Sequence, residues 1–131
     1  MRDLSSSGVK LNVTALMTER QVENVAAALE QSAGACISVF AGRIADTGRD
    51  PMPIMARSVA IMKPYPKLEL IWASPREVLN VFQADDVGVH IITATPDILA
   101  KLSFIGKDLD EFSLDTVKMF YRDATAAKFE L

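Results

Sequence analysis

Four short runs of strand-forming residues alternate with helical segments along the chain, and this alternation restricts the fold more than any other feature. The runs are residues 10–16 (KLNVTAL), 36–40 (CISVF), 68–73 (LELIWA) and 89–95 (VHIITAT). Each is short and rich in β-branched, aromatic or other apolar residues, as strands are. Strands separated by helix-length crossovers pair in parallel through right-handed connections. The order βαβαβαβα with one late extra helix therefore predicts an α/β fold on a parallel sheet.

The intervening segments carry helix punctuation. Thr18 and Gln21 form a capping-box pattern ahead of Val22, Val25, Ala26 and Leu29, and this helix is expected to stop near Gly34. Asp50 and Pro51 suit the N-cap and first position of a second helix, which must end before Pro64. Ser74-Pro75-Arg76-Glu77 reads as a further capping box opening a helix over 78–84. Thr95-Pro96-Asp97 opens another. Ser113 is expected to cap the last, with Leu114, Val117, Phe120, Tyr121 and Ala124 as its apolar stripe. Residues 2–8 read as the final turn of a helix with a glycine stop, so an element is expected ahead of the first strand. No linker, repeat or low-complexity tract interrupts the chain, and residues 1–131 are expected to form a single domain.

Composition removes several classes of function. Half the residues are hydrophobic and 24% are charged, as in globular proteins. The net charge of −3 offers no broad basic surface for nucleic acid. No apolar run approaches the roughly 20 residues of a membrane span, and the first residues lack the apolar core of a signal peptide. The single cysteine, Cys36, excludes an internal disulfide. The expectation is a soluble, cytoplasmic protein without a nucleic-acid or membrane partner.

Strand parity locates the polar groups. Asn12 and Thr14 share a face of the first strand, Ser38 and Phe40 a face of the second, and Leu70, Trp72 and Ser74 align along the third. Polar groups thus gather toward the C-terminal strand ends, the ligand end of open α/β sheets and of (β/α)8 barrels alike. Arg43 follows the second strand and Arg76 opens the helix after the third. Two permanently charged planar forks beside a helix N-terminus suit a phosphate group.

LNVTAL, ISVFAGRIADTG, WASPRE and ITATPDIL, in this order and spacing, resemble strands five to eight of the transaldolase family, whose small members include the fructose-6-phosphate aldolases. The resemblance covers nearly the whole chain from about Gly8. It implies the C-terminal half of a (β/α)8 TIM barrel and class I, Schiff-base chemistry without a cofactor. A lysine on the fourth strand attacks a ketose phosphate, and a dihydroxyacetone unit passes to an aldose phosphate. The resemblance implies that Asn12, Thr14, Ser38 and Phe40 bind substrate and that Arg43, Ser74 and Arg76 bind its phosphate. Phe40 stands where aldolase-type members often carry tyrosine, which favours transfer over simple cleavage. The stretch GKDLDEFSLDTVKMFYRDA resembles the branch whose members form rings through terminal helices.

The family's Schiff-base lysine is expected upstream of Met1, so no catalytic residue is assigned within the chain. Lys10 is no substitute, because it starts a strand, near the wrong end of the barrel. The expectation is a half-barrel, inactive alone, that pairs with another copy or with a complementary N-terminal half. Three alternatives stand beside transfer: a fructose-6-phosphate aldolase-type lyase, a non-catalytic phosphosugar-binding or interaction module, and a self-contained flavodoxin-like sheet. His90 is read as a packed or rim residue, Cys36 as a small core residue, and Asp46 and Asp50 as shaping the loop after Arg43. No residue pattern points to a metal.

Overall fold

The computed structural model describes residues 2–29 and 33–128. Its elements run α1 (Arg2–Ser6), β1 (Leu11–Leu16), α2 (Glu19–Ala28), β2 (Ala35–Val39), α3 (Ala41–Ala45), α4 (Met52–Met62), β3 (Leu68–Trp72), α5 (Leu79–Asp86), β4 (Ile91–Ile92), α6 (Pro96–Lys101), a 3-10 turn (Leu102–Phe104) and α7 (Leu109–Ala126). Met1–Ala100 and Lys101–Leu131 form two compact units.

In the first unit the four strands pair in parallel in the order β1-β2-β3-β4. Sequential order decides between the two parallel architectures. A doubly wound sheet reverses its strand order at a switch point, whereas a barrel never does. Helices α2 and α4 pack on each other as well as on the sheet, α2 over β1 and β2 and α4 over β3. The fold is therefore half of a (β/α)8 barrel, and the flavodoxin-like alternative is excluded.

Register separates the two faces of the sheet. Leu11, Ala35 and Leu68 are aligned across three strands, as are Val13, Ile37 and Leu70. These residues join Val22 and Ala26 of α2, its C-cap Leu29, and Met55 and Met62 of α4 in one hydrophobic core. Each fully buried large apolar side chain there contributes about 1.5–3 kcal/mol. The buried Ser58 hydroxyl of α4 donates to the Ile54 carbonyl at 2.7 Å, so it adds no unpaired polar group to this layer. On the opposite face Asn12, Cys36 and Glu69 are aligned, and one pair further along Ser38 aligns with Ile71.

Local signals hold where a few neighbouring residues decide. The Thr18 hydroxyl accepts the Gln21 N–H at 3.3 Å, and the Gln21 side chain accepts the Thr18 N–H at 3.0 Å, a reciprocal capping box. The Asp50 carboxylate accepts the Met52 N–H at 2.9 Å, although the N-cap of α4 falls one residue later, at Pro51, and α4 ends at Met62, before Pro64. Helix α2 is shorter than expected: it ends at Ala28, with Leu29 as its C-cap, well before Gly34.

Four features depart from the sequence expectations. Residues 41–45 form a short helix, α3, directly after β2. Helix α5 begins at Leu79, and Ser74 does not cap it. Helix α7 starts at Leu109, because the Asp108 carboxylate accepts the N–H groups of Asp110 and Glu111; Ser113 lies inside the helix. The fourth strand is two residues long, against seven expected, because its approach pairs elsewhere. The Val89 N–H reaches the Ala84 carbonyl, and His90 engages β3 through its ring.

In the second unit Lys107 ties the start of α7. Its Nζ lies 2.7 Å from the Asp115 carboxylate, 4.9 Å from the Phe112 ring centre and 5.8 Å from that of Phe104. The two rings are 5.3 Å apart. Leu109, Leu114, Val117, Phe120 and Tyr121 of α7 are all exposed.

Candidate active site

The inner face of β1 and β2 carries the first polar pair. The Ser38 hydroxyl donates to the Asn12 Oδ1 at 2.8 Å across the two strands. Ser38 is buried and Asn12 exposed, so the bond fixes the amide while its Nδ2 remains available for a ligand. Further along β1 the ladder skips, with Val13 opposite Ile37 and Leu16 opposite Val39. The extra residue is absorbed at Thr14 and Ala15, where Ala15 has φ +65°. Such a bulge re-aims side chains at the rim of a sheet, and here it leaves Thr14 exposed. Phe40, between β2 and α3, is half-buried, with its N–H on the Leu16 carbonyl.

The charged part is built by helix α3 and the β3–α5 loop in close contact. A Cβ added to Gly42 would lie 1.5 Å from the Ser74 carbonyl oxygen and 3.3 Å from Arg76 Nε. Glycine is therefore required for α3 and the β3–α5 connection to touch. Ser74 itself takes a left-handed conformation, φ +59°, which costs a non-glycine residue of order 1 kcal/mol. Arg43 and Arg76 each lie four residues past the end of their strand, Val39 and Trp72 respectively, and both are exposed.

Arg76 is held at two points. Its Nε donates to the Asp46 Oδ1 at 3.0 Å, and its Nη2 pairs with the Asp46 Oδ2. Its backbone N–H donates to the Asn80 Oδ1 at 2.7 Å, which also takes the Glu77 N–H at 3.2 Å. The hydrogen bonds from Arg76 hold the Asp46 carboxyl below its ordinary value, and the charges of Arg76 and Arg43 add to this. The same bonds raise the Arg76 guanidinium further above its already high value.

Sequence parity puts Asn12 and Ser38 at the same end of neighbouring strands, and the bond between them joins them on one face. Parity misplaces Ser74. It groups Ser74 with Leu70 and Trp72, which belong to the helix-side core, but the left-handed turn takes Ser74 out of the strand pattern. The Arg76 and Glu77 N–H groups that a Ser74 cap would take go instead to Asn80 Oδ1, inside α5, whose own N-cap, Val78, makes no side-chain bond. Asp46 was read only as a loop residue, although its spacing of three from Arg43 already placed the two on neighbouring turns if the segment was helical. His90 accepts the Leu70 N–H through Nδ1 at 3.1 Å and is structural. Cys36 is half-buried on the inner face beside Glu69, not in the core, and burial followed by the Glu69 carboxylate pushes its thiol up.

Comparison with known proteins gives the family. The family model described as transaldolase/fructose-6-phosphate aldolase matches residues 1–131. A probable transaldolase of Nitrosopumilus maritimus is 35% identical over 104 residues, covering 77% of this chain and 45% of the relative. One of Thermoanaerobacter is 33% identical over 123 residues, covering 92% and 54%. One of Brucella anthropi is 36% identical over 120 residues, covering 88% and 53%. The chain spans about half the length of these relatives. With strand order, paired inner-face polar residues and the family match in agreement, the chain belongs to the transaldolase/fructose-6-phosphate aldolase family.

Proposed function

We propose that this chain, acting as one half-barrel domain over residues 1–131, supplies the phosphate side of a transaldolase-type active site. Arg43, Ser74 and Arg76 bind the phosphate of a sugar phosphate. Asn12, Thr14, Ser38 and Phe40 line the path of its carbon chain, with the Asn12 amide oriented by Ser38 to meet substrate hydroxyls. The observation that carries the reading is the Gly42–Ser74 contact, which fixes helix α3, bearing Arg43, against the loop that bears Arg76. Phe40 provides no hydroxyl to position water, in keeping with transfer of a dihydroxyacetone unit to an aldose phosphate over its release.

The chain alone is proposed to be without turnover. Lys10 precedes β1, and Lys63 and Lys67 lie between α4 and β3. All three therefore stand at N-terminal strand ends, opposite the polar groups. A lysine from outside this chain completes the site, contributed by a complementary half-barrel, and α7 offers its exposed apolar residues to an oligomer.

Titration with fructose 6-phosphate tests the phosphate assignment. Arg43→Ala and Arg76→Ala should each weaken binding by roughly tenfold or more, the value of one charge-assisted hydrogen bond. Borohydride reduction of the mixture should leave no adduct. A stable adduct on Lys10 or any other lysine overturns the claim of no turnover, and absence of sugar-phosphate binding overturns the phosphate assignment.

A further inference from the structure

We propose that Asp46 is a positioning residue, which holds the Arg76 guanidinium in the orientation that presents its remaining edge to a phosphate group. The inference rests on the phosphate assignment of Arg76 above and extends it to a residue with no ligand contact of its own.

A guanidinium carries five N–H donors in a rigid plane. Asp46 engages the edge formed by Nε and Nη2. The remaining edge, Nη1 and the second N–H of Nη2, makes no hydrogen bond to the described residues, and it can meet two phosphate oxygens side by side. Nothing else fixes that edge. Arg76 is about half exposed, and an unrestrained arginine side chain at the surface samples many rotamers. Its backbone is already fixed by Asn80, and its Nε passes close to Gly42, so the Asp46 bonds settle the last torsions of the side chain. The helix α3 carries Arg43 in its last turn, and Asp46 follows as its C-cap. One short helix therefore contributes one arginine and fixes the other.

A carboxylate beside an anion site also has an opposing effect, because it repels phosphate and competes for the same donors. Both charges are solvent-exposed, where screening keeps such repulsion small. Ordering a long side chain in advance corresponds to a factor of about 2–12 in affinity. Positioning outweighs repulsion on these magnitudes.

The test is titration of the full chain with inorganic phosphate, following the Arg76 Nε–H resonance and the heat of binding. Asp46→Ala should weaken phosphate binding by about 3- to 10-fold and increase the mobility of the Arg76 Nε–H vector. Asp46→Asn, which keeps one acceptor oxygen, should lie between this variant and the parent; it decides the same question if Asp46→Ala does not fold. Asp46→Glu, which restores the charge on a longer arm, should recover part of the loss. In an Arg76→Lys background, where charge remains but the fork is gone, Asp46→Ala should change binding by less than about twofold. Equal or tighter binding in Asp46→Ala overturns the proposal and makes the carboxylate a competitor. An undiminished loss in the Arg76→Lys background also overturns it, since Asp46 then acts on the fold and not through the fork. No phosphate binding by the parent chain removes the phosphate assignment itself, and the proposal falls with it.

Discussion

At Gly42 a single hydrogen stands where any other residue would place a carbon inside the Ser74 carbonyl. That obstacle is backbone and cannot rotate away, so Gly42→Ala must push α3 and the β3–α5 loop apart. We expect a loss of about 1–3 kcal/mol in urea unfolding, the usual cost of forcing atoms into a packed contact. The same variant should lose phosphate binding, because α3 carries Arg43 and the loop carries Arg76. The Asp46–Arg76 pair makes a second residue-scale prediction. The folded Asp46 carboxyl lies below its ordinary value, chiefly through its bonds to Arg76. Its contribution is therefore complete above the unfolded value of about 3.9 and is lost only as pH falls through the lower folded value. Thermal midpoints of the parent and Asp46→Asn should differ by a constant amount from pH 5 to 7 and converge below about pH 4. A difference that widens toward acid pH contradicts this sign.

The elements show which sequence signals are dependable. The Thr18 capping box formed as read, because every atom it needs lies within four residues. The similar pattern at Ser74 failed, because a contact with Gly42, thirty-two residues upstream, holds Ser74 in a left-handed turn, and no local rule contains that contact. Strand parity worked for Asn12 and Ser38, in the regular part of the ladder, and stopped working at the Thr14–Ala15 bulge and at the end of β3. The fold class was legible for the same reason: α/β alternation depends on periodicity, which local composition records. The short β4 was not, because His90 substitutes a ring nitrogen for a backbone carbonyl. This yields a prediction. Leu70 is fully buried, so in His90→Ala its N–H loses its acceptor away from bulk water. The cost should be about 1–3 kcal/mol in denaturant unfolding, with faster hydrogen exchange at the Leu70 amide. A variant as stable as the parent, with Leu70 still protected, would show that β4 is held by other contacts.

The first unit ends in two open edges. Within its described residues, β1 and β4 each have a strand on one side alone. Unpaired strand edges bind other strands unless something covers them. Asn12 and Thr14 on β1 are exposed, as are Glu69 of β3 and Ile91 of β4, where a closed barrel would surround its inner residues. The β1 bulge and the two-residue length of β4 are the protections these edges carry; β1 (LNVTAL) has no charge or proline, and β4 (II) is apolar. The remedy that matches the geometry is a second set of parallel strands that continues from β1 round to β4. Since the chain spans about half the length of its relatives, a complementary half of similar size has room to supply them. Without such a half, two copies should pair through the same edges. We therefore expect the isolated chain to sediment and scatter light as a dimer or larger species at micromolar concentration. The β1 amides should gain hydrogen-exchange protection as concentration rises. Addition of a complementary half should replace the self-association with a one-to-one complex, because parallel strands in barrel register satisfy both edges at once, whereas a pair of identical halves need not. A monodisperse monomer whose β1 amides exchange freely would show that the edges are tolerated in water and that closure is not what drives assembly.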